Sequence, residues 1–220
     1  MSGKVRVDCF SVSVDGFCAG PDQSLEHPLG VGGEMLHHWF IPTPQFRTRF
    51  GQSGGHEGTD NDFASRSMEG VGAWIMGRNM FGPIRGDWAD DTWKGWWGED
   101  PGFKVPVIVL THYPRADVPM RDGTLFQFET GGMEAALERA RALAGDRDIR
   151  IGGGAETIRR YLRAGLIDEM HIAISPVVLG RGDALWKDLE LPALGYEITS
   201  STAGEKATHL ILTRTAKEKP

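Results

Sequence analysis

The sequence predicts an α/β fold: a mainly parallel central sheet with flanking helices and a C-terminal antiparallel hairpin. Three observations predict it. Short apolar runs bounded by turn residues, Val71–Met76 and Val105–Leu110 among them, read as buried strands. Helical spacing alternates with them, with Met133, Ala136, Leu137, Ala140 and Leu143 on one face and Ile158, Tyr161 and Leu162 on another. Alternating strands and helices favour parallel pairing. At the end of the chain Tyr196–Ser200 and Thr208–Thr213 face each other across Ala203-Gly204, a hairpin signature.

In chain order, Val5–Val14 reads as a strand with two alternating sets, Val5, Val7, Cys9 and Phe10, Val12, Val14, stopped by the turn Asp15-Gly16. Residues 20–60, rich in Gly, Pro, His and Asp, form a long excursion with one apolar piece, Met35–Ile41. Loops of this length inside a domain carry function or are mobile. A helix is expected over Asp62–Gly70 with Asp60 or Asn61 as its N-cap. The strand Val71–Met76 ends in Gly77-Arg78, and a second excursion over 84–103 holds Trp88, Trp93, Trp96 and Trp97. Leu125–Phe128 is a short strand, and the helix over Gly132–Leu143 ends at Gly145-Asp146. Ile149 and Ile151 begin a strand, Glu156–Arg163 is a helix closed by Gly165, and Glu169–Val178 is a strand. No linker divides the chain, so residues 1–220 are expected to form one domain.

Composition narrows the function. A net charge of -6 with no basic stripe argues against nucleic-acid binding. No apolar run reaches the length of a membrane span, and Met1–Asp8 lacks a signal-peptide core, so a cytoplasmic protein is expected. Cys9 and Cys18 are read as free thiols in preference to a disulfide. His37-His38 has no second cluster with ligand spacing, so no metal site is expected. The tryptophans of 84–103 suit a loop packing on itself, a dimer contact or a stack on a flat heterocycle.

Three glycines, Gly152-Gly153-Gly154, separate a strand from a helix that begins Ala155-Glu156-Thr157. Glycine admits close backbone approach, and free N–H groups at a helix start suit a diphosphate. A plain strand-to-helix turn needs one glycine, and three exceed it. Gly77-Arg78-Asn79 and Thr111-His112 also follow strands, where α/β sheets bind ligands, with Arg115 close by. Arg78 suits a phosphate.

The order of these motifs resembles the dihydrofolate-reductase-like superfamily, nearest to stand-alone relatives of the riboflavin-biosynthesis reductase domain. The matching pieces are Ser13–Phe17, Met76-Gly77-Arg78, Val107–His112, Ile151–Ala155, Leu166–His171 and Ser175–Gly182. The resemblance implies an NADPH-dependent reductase passing a hydride to a pterin- or pyrimidine-like heterocycle or a related C=N or carbonyl compound, and a homodimer. It places Ser11, Cys18 and Ala19 at the nicotinamide, and Gly77, Arg78 and Asn79 at the phosphates. Thr111 and His112 lie beside the adenosine half, Thr130 and Gly131 near the adenine, and Gly152 to Thr157 around the diphosphate. Trp39 is assigned to substrate, and Glu34 and Asp15 are the candidate acids. Two positions depart from the family pattern: Met80 replaces a threonine, and no acid after the first strand falls in register. A non-catalytic NADPH- or nucleotide-binding protein of the same fold is therefore the alternative. Gly153→Val is expected to abolish cofactor binding without unfolding the chain.

Overall fold

A computed structural model describes residues 3–88 and 90–215. In chain order the strands and helices are β1 (Val5–Ser13), β2 (Phe17–Ala19), α1 (Pro44–Arg49), α2 (Thr59–Arg66), β3 (Val71–Gly77), α3 (Arg78–Phe81), β4 (Pro106–Leu110), β5 (Val118–Pro119) and β6 (Leu125–Glu129). Then follow α4 (Met133–Ala144), β7 (Asp148–Gly153), α5 (Ala155–Arg163), β8 (Glu169–Ser175), β9 (Asp183–Ala184), β10 (Tyr196–Ala203) and β11 (Thr208–Arg214). A nine-stranded sheet has the order β10-β11-β8-β1-β7-β3-β4-β6-β5. Its centre, from β8 to β6, is parallel, and β11 pairs antiparallel with both β8 and β10.

Strand alternation divides the core between two faces. Ala73, Ile75, Ile149 and Ile151 pack with Ala136, Leu137 and Ala140 of α4 and with Ile158 and Leu162 of α5. The opposite face carries Trp74, Met76, Val107 and Val109, covered by Phe81, Phe103 and the tryptophans of the second excursion. The tail residues Lys217 to Pro220 lie outside the described residues.

The first strand departs from the simple alternation expected of it. Its register with β8 shifts between Val7 and Phe10, and Cys9 sits at φ 50. This bulge merges the two apolar sets: Val5, Val7, Phe10 and Val12 all belong to the α4–α5 side of the core. It also frees the Cys9 N–H, which donates to Nδ1 of His171 at 3.1 Å. With Nδ1 accepting, the His171 proton lies on Nε2 and is donated to Nδ1 of His209 at 2.9 Å. His209 in turn donates from Nε2 to Asp60 at 2.8 Å. Phe63 stacks on both rings, with centroids 4.5 and 4.2 Å away.

The second helix starts earlier than expected, and neither Asp60 nor Asn61 caps it. Its N-cap is Gly58, and Glu205 from the β10–β11 turn accepts the N–H groups of Thr59 and Asp60 at 3.0 and 2.9 Å. That partner lies far along the chain, beyond any local capping pattern.

Both rings of the buried chain are held neutral. Burial pushes His171 down to about 2 and also lowers His209. The unfolded chain binds protons below about pH 6.5 that the folded rings refuse, so stability falls as pH drops through that value. His209→Ala orphans His171 Nε2 and Asp60 Oδ1 and is expected to cost roughly 2–4 kcal/mol, the penalty for two unsatisfied buried groups. Urea titration of wild type and variant at pH 7.5 and pH 5.5 checks both statements; an unchanged midpoint removes the network from the list of stabilising features.

Candidate functional site

A cavity of about 810 Å³ opens along the carboxyl ends of β1, β3, β4, β6 and β7. Most of the residues singled out in the sequence meet there. Its wall includes Ser11, Cys18, Ala19 and Glu34, then Gly77, Arg78 and Asn79, and then Thr111, His112 and Thr130. Gly152, Gly154, Ala155, Glu156 and Thr157 complete that half. The remainder of the wall comes from the two excursions, through residues such as Phe46, Arg49, Phe50, Trp96, Trp97 and Phe103.

The glycine run makes room in two ways. An added Cβ on Gly152 would meet Trp74 at 3.1 Å and Met80 Sδ at 3.2 Å, so Met80 packs against the run. A Cβ on Gly154 would meet nothing within 4 Å and enters open cavity. The helix α5 follows at once, with Gly154 as N-cap and no side chain on its first N–H groups. Such a helix start is an anion cradle. Glu156, the acid in that first turn, is drawn down by Arg159, to which it is hydrogen-bonded at 2.8 Å.

Arg78 begins α3 directly after β3, and Gly77 before it approaches α5 so closely that a Cβ would sit 2.6 Å from Thr157 Oγ1. Its guanidinium lies 3.8 Å over the Trp88 ring and 5.0 Å from that of Tyr113. Nε, Nη1 and Nη2 are all buried without a hydrogen-bond partner among the described residues. Burial lowers its pKa. The neighbouring excursion is pinned to α3: Trp96 and Trp97 both donate their indole N–H to the Met80 carbonyl, at 2.8 and 2.9 Å. The tryptophans therefore pack within the chain.

At the other end Ser11 is buried, and its hydroxyl accepts from Trp39 Nε1 at 2.8 Å and lies 3.3 Å from His37 Nδ1. Burial pushes His37 down to about 4, so its ring is neutral at physiological pH. Glu34 is exposed at the rim.

Several assignments are corrected. Asp15 lies outside the wall: it accepts from Ser13 Oγ at 2.6 Å and from the Leu179 and Gly180 N–H groups at 3.1 and 2.6 Å, clamping two loops together. Those bonds, that of Ser13 foremost, hold its carboxyl below the usual range. Trp39 is buried behind Ser11 and supports it from outside the cavity. Gly131 is exposed and off the wall, where Gly132 stands instead. Arg115 does not help Arg78; it donates to the carbonyls of Asp91 and Trp93 and stacks over Trp88 at 4.8 Å. Gly153 sits at φ +121 with its missing Cβ aimed 2.9 Å from the Phe10 ring, so Gly153→Val strains the core, and Gly154 is the position that probes the cavity.

Two buried charged residues are among the wall residues that escaped the sequence reading. Arg150 of β7 is buried, donates to Ser67 and Asp8 carbonyls at 2.8 and 2.7 Å, and lies 4.1 Å over Trp74. Asp8 of β1, 4% exposed, also faces the cavity. Alternating charges on a strand with a bulge gave no sign of a shared face. Among the described residues no group of three or more His, Cys, Asp or Glu side chains could hold a metal ion, and no helix is long and apolar enough to cross a membrane.

Comparison with known proteins agrees with this architecture. The family model described as the RibD C-terminal domain matches residues 4–210. The uncharacterized protein YyaP of Bacillus subtilis (strain 168) is 43% identical over 44 residues, 20% of this chain and 23% of that protein. The chain thus matches under a quarter of the length of this curated relative. A solved structure from Shewanella sp. PV-4, of a protein named for riboflavin biosynthesis, superposes with a TM-score of 0.56 at 22% identity, over 98% of this chain and 99% of that one. At that identity the likeness is one of fold.

Both cysteines on the wall are kept protonated: burial pushes Cys9 up to about 11 and Cys18 up to about 12. The thiolate is the reactive form. The native protein is therefore expected to resist iodoacetamide at pH 8, with both thiols labelled only after denaturation; mass spectrometry of the alkylated chain reads the outcome, and fast labelling of the folded protein contradicts it.

Proposed function

The chain belongs to the RibD C-terminal domain family, and from that premise we propose that it is an NADPH-dependent reductase transferring a hydride to a small pterin- or pyrimidine-like heterocycle or a related C=N or carbonyl compound. The observation that carries this reading is the guanidinium of Arg78, desolvated and without a partner at the end of β3. A buried, unpaired cation is costly, and a phosphate from a ligand satisfies it with charge-assisted hydrogen bonds.

The residues present fit the cofactor. Arg78 and Asn79 would hold the adenosine phosphate, beside Thr111, His112 and Thr130. Gly154 leaves open the space that a diphosphate needs against the start of α5. Ser11, Cys18 and Ala19 would flank the nicotinamide, which supplies the hydride when bound. The excursions supply apolar walls to the cavity, and Ser11 is fixed by Trp39 and His37. Glu34 at the rim, directly or through a water, is the group that delivers the proton to the reduced ring. The reading includes a homodimer of one-domain chains in the cytoplasm.

NADPH is expected to bind more tightly than NADH, and Arg78→Ala to remove most of the difference, roughly 1–3 kcal/mol. Fluorescence titration with both cofactors measures it, and equal wild-type affinities defeat the assignment of Arg78. Gly154→Val is expected to keep a cooperative melt but lose the NADPH-induced rise in Tm, with Gly154→Ala between it and wild type. A full ligand shift in Gly154→Val removes the glycine run from the site. Cofactor oxidation with a panel of heterocycles separates the reductase from a non-catalytic nucleotide binder, and a solution mass of 24.1 kDa by light scattering defeats the dimer.

A further inference from the structure

We propose that Arg160 is the cation that receives the cofactor's diphosphate, and that Glu156 is an internal anion that holds Arg160 until the diphosphate enters. The proposal rests on reading the start of α5 as the diphosphate's place. It adds to that place a residue, and an exchange of partners, that no motif above supplies.

Helix geometry puts both side chains over the start of α5. Side chains on a helix lean toward its N-terminus, so a residue one turn in covers the turn before it. Arg160 follows that rule and donates from Nε to Glu156 Oε1 at 2.9 Å. Both residues line the cavity. The Arg160 side chain is 58% exposed, and among the described residues its Nη1 and Nη2 donate no hydrogen bond. A guanidinium held through Nε alone still presents its outer N–H groups, which suit a phosphate.

Charge on this part of the wall gives that free edge a purpose. Two carboxylates stand there, Glu156 and Asp183, and Arg159 serves both. Arg159 is buried, donates to Glu156 Oε2 from Nε and Nη2 at 3.1 and 2.8 Å, and lies 3.4 Å from Asp183 Oδ1. The Ala184 carbonyl also takes its Nη1, so every nitrogen of Arg159 is engaged within the chain. Two acids against one engaged cation leave the wall negative, which opposes a diphosphate at the helix start. Arg160 brings the sum to zero and is the exposed member of the set. The bonds from Arg159, and then from Arg160, hold the Glu156 carboxyl below its usual range, so it is charged at neutral pH. When the diphosphate enters, Arg160 leaves Glu156 Oε1 for it, and Glu156 keeps its two bonds to Arg159. An exposed i,i+4 pair is weak, so little is given up, and an arginine–phosphate pair is gained.

The test is calorimetric titration of the whole protein with NADPH and with adenosine 2′-phosphate, which carries the ribose phosphate but no diphosphate. Arg160→Gln is expected to weaken NADPH roughly tenfold, the worth of one charge-assisted pair, and to flatten the loss of NADPH affinity with added salt. Glu156→Gln is expected to act in the opposite sense and tighten NADPH by roughly two- to fivefold, because it frees Arg160 and removes a like charge. Both variants are expected to bind adenosine 2′-phosphate as the wild type does, with Arg160→Lys between Arg160→Gln and wild type for NADPH. Arg160→Gln binding NADPH as tightly as wild type overturns the proposal. So does Glu156→Gln binding it no more tightly, or a loss in Arg160→Gln that adenosine 2′-phosphate shares in full. Glu156→Gln decides by its sign where Arg160→Gln fails to fold. A wild-type protein that binds neither ligand overturns the cofactor reading. Inorganic pyrophosphate titrated against wild type and Arg160→Gln then decides Arg160 alone, and equal affinities or no binding overturn its role.

Discussion

One hydrogen bond sets the phase of the central strand: the Cys9 N–H leaves the sheet ladder and donates to Nδ1 of His171. On one side of that bulge the strand gives Val5 and Val7 to the core, and on the other Phe10 and Val12, all toward α4 and α5. Asp8 and Ser11 are thereby turned together toward the cavity. The same bond fixes which nitrogen of His171 is free to donate, and so the direction of the whole chain through His209 to Asp60. Asp60 also accepts the Lys206 N–H, so a local defect in β1 is tied to the far hairpin and to the start of α2.

The cavity is assembled from two kinds of chain. Its outer half consists of strand ends and helix starts, whose positions follow from sheet geometry. Its inner half consists of side chains from loops laid against the face that carries Trp74 and Met76. The first half offers backbone and one unpaired guanidinium, which suits phosphate. The second offers aromatic rings and two engaged arginines, which suits a ring system. This division matches the general pattern in which a scaffold positions a shared chemistry and loops choose what is presented to it.

Much of this was legible in the sequence. The buried parallel strands announced themselves as apolar runs, and α4 and α5 by their spacing, because burial on one or both faces imposes those periods. The glycine run and Arg78 were visible because few residue types serve a close approach or a phosphate. The bulge was not visible: Cys9 is not a residue type that signals positive φ, and the two apolar sets looked like opposite faces. Asp8 and Arg150 stayed hidden because a charged residue on a strand gives no local sign that it is buried against a cavity. The cap of α2 by Glu205 and the clamp made by Asp15 are long-range contacts, which local patterns do not encode.

The contact between Arg49 and Pro101 joins the two excursions across a gap of 52 positions in sequence. A change that moves Arg49 or Pro101 therefore reaches both walls of the cavity. The two loops are thus coupled mechanically: displacing one segment transmits through this contact to the other, while the strand ends and the glycine run are held separately by the sheet.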